Sequence, residues 1–396
     1  MAVLELLTYQ VTQMTIESTN DKLPTAPAIT YSECYVQPLL HRFPYRWTLK
    51  DAVFTKDKGK VFSCFACGGG STMGYKLAGF DVIGCNEIDP KMMEAYKANH
   101  NPKYAYLEPI QTFKLREDLP KELYELDILD GSPPCSSFSM AGNREKDWGK
   151  DKVFREGQAM QVLDTLFFDF IDLAKKLQPK VVVAENVKGL LLGEAKAYVR
   201  KIYREFDLAG YYCQHWLLDA SKMGVPQRRE RVFFIALRKD LAKPFLKQMN
   251  LFDILPEIRL EFNEPEILFE NVYSNEIDRK LSDTCIRLWE NRQKDDTGLQ
   301  NSSARIDNKP NNWFSYNYVK MKNVMPTILG NDWTVLYDEP RHPNKNEYCL
   351  CGTYPIDYNF TDNKPHYLIG MSVPPVMTAN IATEIYSQWL TKLARS

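Results

Sequence analysis

The chain has 396 residues, of which 44% are hydrophobic and 26% charged, and this balance excludes a disordered, collagen-like or coiled-coil protein. Fifty Lys and Arg against 51 Asp and Glu give a net charge of -1, which argues against a general polyanion binder but not against an enzyme with a local basic patch. Nine scattered cysteines, no apolar run of about 18 residues and no signal sequence predict a soluble cytoplasmic protein with reduced thiols.

The predicted elements alternate between strand and helix from Lys60 to about Lys239. Short apolar runs predict strands at 61–65, 81–87, 126–129, 181–184, 211–218 and 231–237. Helical spacing and caps predict one helix capped by Ser71 or Thr72, another capped by Asp89, and further helices at 160–177, 198–206 and 375–390. This alternation predicts an α/β fold with a doubly wound, mostly parallel sheet that binds ligands at the carboxyl ends of its strands.

The first candidate site is the glycine turn 68–70 after the first predicted strand, together with Glu87 at the end of the second. Glycines let the backbone approach a ligand closely, and an acid in this position can accept hydrogen bonds from both hydroxyls of a ribose. The next glycine, Gly74, comes one position too late for a dinucleotide motif. The turn therefore favours S-adenosylmethionine, with a glycine turn that binds no ligand as an equal alternative.

The second candidate site is Ser132–Cys135, where a thiol follows two prolines after the third predicted strand. Carbon C5 of cytosine is a poor nucleophile until another nucleophile attacks C6 and makes the ring enamine-like. A Cys135 thiolate could make that attack if a helix terminus or a cation lowers the pKa of the thiol. The alternative is a buried, inert cysteine, which is the commoner role of any one Cys.

Two further candidates follow later strands. Glu185 emerges from an apolar run, so burial is expected to favour its protonated form, which could share a proton with ring nitrogen N3; otherwise it caps a helix. Arg229 and Arg231 are two residues apart in an extended segment and therefore point the same way. One could bind the cytosine carbonyl oxygen and the other brace the Cys135 loop or a phosphate, whereas a solvated basic surface is the usual alternative.

In their order and their placement at successive strand ends, these motifs resemble the DNA (cytosine-5) methyltransferase family, of the bacterial or phage modification type, from about Val61 to the C-terminus. The resemblance implies a doubly wound mixed sheet of the S-adenosylmethionine-dependent methyltransferase type. It implies the catalytic residues Cys135, Glu185, Arg229 and Arg231. It also implies the cofactor contacts Phe65, Gly68, Gly69, Gly70, Glu87, Ile88, Pro134, Leu166 and Ser372.

The sequence departs from the family pattern at several positions. Cys67 replaces the first turn glycine, Ser136 stands where Gln usually follows the nucleophile, and Met371 replaces an Asn that often reaches the cofactor. Pro109 stands where the family places an acid against the adenine ring, so the adenine contact is unassigned. A zinc site is an alternative on spacing alone and would use Cys64, Cys67, Cys349 and Cys351.

The implied reaction transfers a methyl group from S-adenosylmethionine to C5 of a flipped-out cytosine in double-stranded DNA and releases S-adenosylhomocysteine. It proceeds through a covalent bond between Cys135 and C6, and the segment 140–158 is expected to close over the base as a lid. A transfer-RNA methyltransferase would share every catalytic residue. A catalytically inert DNA-binding relative is the remaining alternative.

The predicted organisation has four parts. Residues 1–59 form an extension of unknown role, 60–239 the catalytic and cofactor-binding domain, 240–330 an irregular target-recognition domain, and 331–396 a segment that returns to the catalytic domain. Lys, Arg, Asn, Gln and Tyr within 240–330 suit contacts to phosphates and base edges. The expected partners are double-stranded DNA and, if the enzyme is paired with one, a restriction endonuclease; the chain is expected to be a monomer without membrane contact.

Overall fold

A computed structural model describes residues 41–134, 151–152, 161–162, 165–193, 195–248, 254–309, 313, 315–331 and 333–394. The strands in this part are β1 (Lys60–Cys64), β2 (Asp81–Glu87), β3 (Tyr104–Leu107), β4 (Ile128–Gly131), β5 (Asp151–Lys152), β6 (Gln161–Val162), β7 (Val181–Val187), β8 (Tyr211–Asp219), β9 (Glu230–Arg238), β10 (Leu246–Gln248), β11 (Ile254–Pro256), β12 (Tyr318–Val319) and β13 (Val335–Leu336). The helices are α1 (Gly70–Leu77), α2 (Pro90–His100), α3 (Ile110–Phe113), α4 (Leu166–Leu177), α5 (Ala195–Leu208), α6 (Asp283–Glu290), α7 (Leu299–Ile306), α8 (Lys345–Cys351), α9 (Pro365–Met371), α10 (Pro375–Ile385) and α11 (Thr391–Leu393). None of these helices has the length and apolar character needed to span a membrane.

Seven strands form one mixed sheet in the order β3-β2-β1-β4-β7-β9-β8. Strands β3, β2, β1, β4 and β7 are parallel, whereas β9 pairs antiparallel with both β7 and β8. This confirms the predicted doubly wound mixed sheet. Gly131 at the end of β4 pairs with Ala184 on β7, so the turn that follows β4 and the residue Glu185 leave the sheet side by side.

The start of α1 differs from the prediction, because Gly69 and not Ser71 or Thr72 is the N-cap. Gly69 adopts a left-handed conformation with φ of 85°, which glycine takes at little cost. A Cβ at this position would also collide with His100 Nε2. Ser71 and Thr72 therefore lie inside the first turn of the helix.

The other predicted helices and strands are found near their predicted places. The Asp89 side chain caps α2 by accepting hydrogen bonds from the backbone N–H groups of Lys91 and Met92. Strand β3 is an addition, since its four residues are too few to show a period. The predicted C-terminal helix is α10, and it is buried on most sides instead of one face.

Helices cover both faces of the large sheet, as a parallel sheet requires. On one face α4 and α5 bury Phe167, Phe170 and Ile202 against the strands. On the other face α1 and α10 bury Tyr75 and Ile381. The carboxyl edge of the parallel strands is left open for a site.

Residues 38–396 form one compact unit, and residues 1–37, which form another, lie outside the described part. The segment 41–59 of the predicted extension packs within the larger unit, since the buried Trp47 donates its Nε1–H to the Thr353 carbonyl at 2.9 Å. Residues 240–330 contain the antiparallel pair β10–β11 and helices α6 and α7. The four-part division into domains stays a prediction.

Candidate active site

A pocket opens at the carboxyl ends of β1, β2 and β4, where a doubly wound sheet binds its ligand. Five predicted cofactor contacts line this pocket: Phe65, Glu87, Ile88, Pro134 and Leu166. The wall also includes residues that the sequence analysis did not assign to the cofactor, namely Cys67, Asn86, Asp89, Met92, Glu108, Ile110, Ser132, Tyr367 and Met371. The structure thus brings together residues from distant parts of the chain.

The glycine turn lies behind the pocket and packs against the segment that follows α9. A Cβ on Gly68 would collide with the Leu368 side chain, and one on Gly70 would collide with the Val373 carbonyl oxygen. The Ser372 hydroxyl is buried and donates to the Leu368 carbonyl at 2.8 Å. The glycines therefore allow two chain segments to approach closely, and the pocket wall carries Met371 where Ser372 was predicted as a contact.

Glu87 joins the glycine turn to the start of α2. Its Oε2 accepts from the Cys67 backbone N–H at 2.7 Å, while Oε1 accepts from Ile88 N–H at 2.8 Å and Asp89 N–H at 2.9 Å. Burial raises the pKa of this carboxyl, and the three backbone donors act in the opposite direction. A carboxylate offers about four lone-pair sites, so roughly one remains for a ribose hydroxyl.

The unassigned adenine end of the pocket is bordered by Glu108 and Ile110 on either side of Pro109. The Glu108 carboxylate accepts from Arg116 Nη1 at 2.9 Å and from the Thr112 hydroxyl at 3.0 Å. The Glu108 carbonyl accepts from the Asn86 amide at 2.8 Å. An acid is therefore present at this end of the pocket, one position earlier than the family pattern places it.

The predicted nucleophile, Cys135, and the predicted lid, 140–158, lie outside the described residues, apart from the backbone of β5. The turn that leads to Cys135 is described as far as Pro134. The Asn186 amide donates to the Pro133 carbonyl at 3.1 Å, which fixes this turn against β7. Ser132 and Pro134 face the cofactor pocket. The residue after Pro134 therefore follows directly on the pocket wall.

Asp130, just before that turn, was not singled out from the sequence. Its carboxylate is buried and accepts from the Ser63 hydroxyl at 2.8 Å and the Tyr75 hydroxyl at 3.1 Å. Burial raises the pKa of Asp130 to about 7, with a smaller contribution from the charge of Glu185. An acid inside an apolar β-strand was the only sequence signal for it.

Glu185 and Arg231 form an ion pair at the ends of β7 and β9. Arg231 Nε lies 3.0 Å from Glu185 Oε1, and the two side chains are 14% and 12% exposed. Burial lowers the pKa of Arg231, and the Glu185 carboxylate acts in the opposite direction. The pair is thus partly dehydrated and held in one orientation, beside the turn that leads to Cys135.

Arg229 has different contacts from Arg231, although both were predicted to project toward one pocket. Its guanidinium is buried and donates to the Ile328 carbonyl and the Gly370 carbonyl, each at 2.9 Å. Burial, followed by the charge of Arg231, lowers the pKa of Arg229 to about 9. These contacts brace two loops, and a direct catalytic role for Arg229 stays a prediction.

A second, larger cleft borders the ion pair. Its walls come from 187–189 and 228–231 on the sheet side and from 295–297 and 317–329 on the other. Its basic side chains are Lys188, Arg228, Arg231, Lys320 and Lys322. In the part of the chain that the structure describes, no group of His, Cys, Asp or Glu is arranged to hold a metal ion, and the zinc alternative gains no support.

Comparisons with known proteins agree with this fold and site. The family model for C-5 cytosine-specific DNA methylase matches residues 59–387. The Type II methyltransferase M.FnuDI of Fusobacterium nucleatum is 38% identical over 183 residues, 46% of this chain and 48% of that protein. M.NgoPII of Neisseria gonorrhoeae is 37% identical over 186 residues, 47% of this chain and 50% of that protein. The chain thus spans about half the length of these curated relatives.

Solved structures with the same fold cover more of the chain. A triple mutant of Spodoptera frugiperda DNMT2 has a TM-score of 0.56 and 16% identity, and the match covers 83% of this chain and 99% of that one. The Dnmt2 methyltransferase of S. pombe has a TM-score of 0.53 and 14% identity, with 83% and 98% covered. Since the family model also matches most of the length, this chain belongs to the C-5 cytosine-specific DNA methylase family.

Proposed function

We propose that this protein transfers a methyl group from S-adenosylmethionine to C5 of a cytosine in double-stranded DNA. The observation that carries this proposal is the position of the Glu185–Arg231 pair next to the turn 131–134, which itself forms part of the cofactor pocket. Membership of the family supports the same reaction. The relatives named Type II methyltransferases support a modification role, in which a restriction endonuclease would be the partner.

The residues of the pocket fit the cofactor. Glu87 can accept from a ribose hydroxyl, and the apolar side chains of Phe65, Ile88 and Leu166 can pack on an adenosine. S-adenosylmethionine supplies a methyl group on a positively charged sulfur. The turn 131–134 lies between this pocket and Glu185, so it can hold the target base within reach of that group.

In the proposed mechanism Cys135 adds as a thiolate to C6 of a cytosine that has left the helical stack. Glu185 hydrogen-bonds to ring nitrogen N3, and Arg231 holds the Glu185 carboxyl in position. The electron pair displaced from the C5–C6 bond then forms the bond to the methyl group. Loss of the proton from C5 restores the double bond and expels the thiolate.

The test is to express the protein in a host that lacks cytosine-5 methylation and to sequence the DNA by a chemistry that reports 5-methylcytosine. We expect methylated cytosines in one sequence context, none with Cys135→Ala, and a covalent complex with 5-fluorocytosine DNA that needs Cys135. The Ser136→Ala variant is the matched control, because it changes the next residue without removing the thiol. Unmethylated DNA with methylated transfer RNA would favour the RNA alternative and overturn the proposal.

A further inference from the structure

A second concave site lies beside the cofactor pocket, and the proposed reaction does not use it. We call it the basic groove, and its main lining residues are Lys91, Arg279, Asn331, Trp333, Lys364 and Tyr367. These residues come from the start of α2, from the two sides of the segment 279–333, and from α9 with the residue before it. Tyr367 also lines the cofactor pocket.

The groove is continuous with the larger cleft. Leu329 lines that cleft, and its neighbour Gly330 lines the basic groove. A DNA strand that leaves the cleft across this loop therefore meets the groove next. The position alone does not select a ligand, but it places the groove on the path of a long polymer and not only beside a small molecule.

The charge of the groove is positive. Three basic side chains, Lys91, Arg279 and Lys364, share it with a single carboxylate, Asp362. Both lysines are exposed, and neither ammonium is paired with a carboxylate among the residues that the structure describes. Burial, with the nearby charges of Arg279 and Lys364, lowers the pKa of His366 to about 4. His366 is therefore neutral near pH 7, and the excess positive charge comes from the three basic residues.

One of these cations is held in a fixed orientation by aromatic rings. The Arg279 guanidinium lies 4.3 Å from the centre of the Trp333 ring, which stacks on Tyr316 at 5.4 Å and 15°. Trp333 is nevertheless 38% exposed. A stacked guanidinium keeps its edge free to donate a fork of hydrogen bonds, and this geometry matches the oxygens of a phosphate. Less entropy is lost on binding because the side chain is already ordered.

We propose that the basic groove binds backbone phosphates of the DNA beyond the catalytic cleft, with Lys91 and Lys364 as the point charges and Arg279 as the oriented donor. This inference rests on the proposed function, since it takes the cleft to be the site of the DNA. The groove would add sequence-independent affinity on one side of the target. A short duplex that fills only the cleft would not use it.

The test measures binding of the full chain to a duplex that covers the cleft and to one extended on both sides, over a range of salt concentrations. The wild type should bind the longer duplex more tightly and with a steeper dependence on salt. The double variant Lys91→Ala/Lys364→Ala should lose that difference. Its slope of log K against log salt should fall by about two, so its affinity loss between 50 and 200 mM salt is about tenfold smaller.

The control is Lys50→Ala/Lys121→Ala, which removes two exposed lysines outside the groove and the cleft. If both double variants give the same slope and the same preference for the longer duplex, the groove does not bind DNA and the inference is overturned. The same result for the inference follows if inorganic phosphate raises the melting temperature but duplex length has no effect. Failure of the proposed function is separate, because binding can be measured even if no cytosine is methylated.

Discussion

Replacing Asp130 by Asn tests whether the buried acid at the end of β4 is costly to ionise. The carboxylate is 4% exposed and accepts from Ser63 and Tyr75. Asn has the same shape, and its carbonyl oxygen can accept from one hydroxyl while its amide donates to the oxygen of the other. The variant therefore removes the charge and leaves the buried polar groups satisfied.

The sign of the effect follows from the direction of the shift. Burial raises the pKa of Asp130 in the folded state from 3.8 to about 7, so the folded state holds the proton more tightly than the unfolded state. Its contribution to stability is complete below pH 3.8 and is lost as the pH rises through 7. At about 1.4 kcal/mol per pKa unit the full loss is about 4 kcal/mol, of which about 3 kcal/mol falls between pH 5 and pH 8.5.

Urea unfolding followed by tryptophan fluorescence at several pH values gives the free energy of unfolding of each protein. Asp130→Asn should gain on the wild type by about 3 kcal/mol between pH 5 and pH 8.5. Asp240→Asn is the control, because Arg238 lowers the pKa of Asp240 and its effect belongs below that range. A difference between Asp130→Asn and the wild type that stays constant across the range would refute the reasoning.

Three further substitutions test the cofactor side of the site. Gly69→Ala should lower the melting temperature and weaken cofactor binding in calorimetry, because φ of 85° is strained for Ala and the added Cβ collides with His100. Arg229→Met should cost about 2–5 kcal/mol in urea unfolding, because two buried carbonyls lose their donor, and a milder loss for Arg229→Lys would support this. Glu87→Gln should weaken cofactor binding about tenfold or more, since an amide nitrogen cannot accept from backbone N–H groups; unchanged affinity would exclude Glu87 from the cofactor site.

Local patterns in the sequence were enough to predict most of the large sheet and several site residues. Apolar runs predicted the strands because each buried strand needs a continuous apolar segment. Asp89 was recognisable as a cap because capping depends on residues three or fewer positions away. Glu87 and Glu185 were found because the carboxyl ends of parallel strands meet at one edge of the sheet, so the position of a residue at the end of its strand already places it near the site.

Contacts between distant segments decided the rest. Arg229 and Arg231 share a strand and a spacing, yet one braces carbonyls from two loops about 100 and 140 residues later, while the other pairs with Glu185. No local pattern records such partners, because they depend on how loops cross after the sheet has formed. The raised pKa of Asp130, the basic groove and the choice of Met371 over Ser372 in the pocket wall have the same cause. Burial and charge at a point are sums over neighbours in space, and only the tertiary structure determines those neighbours.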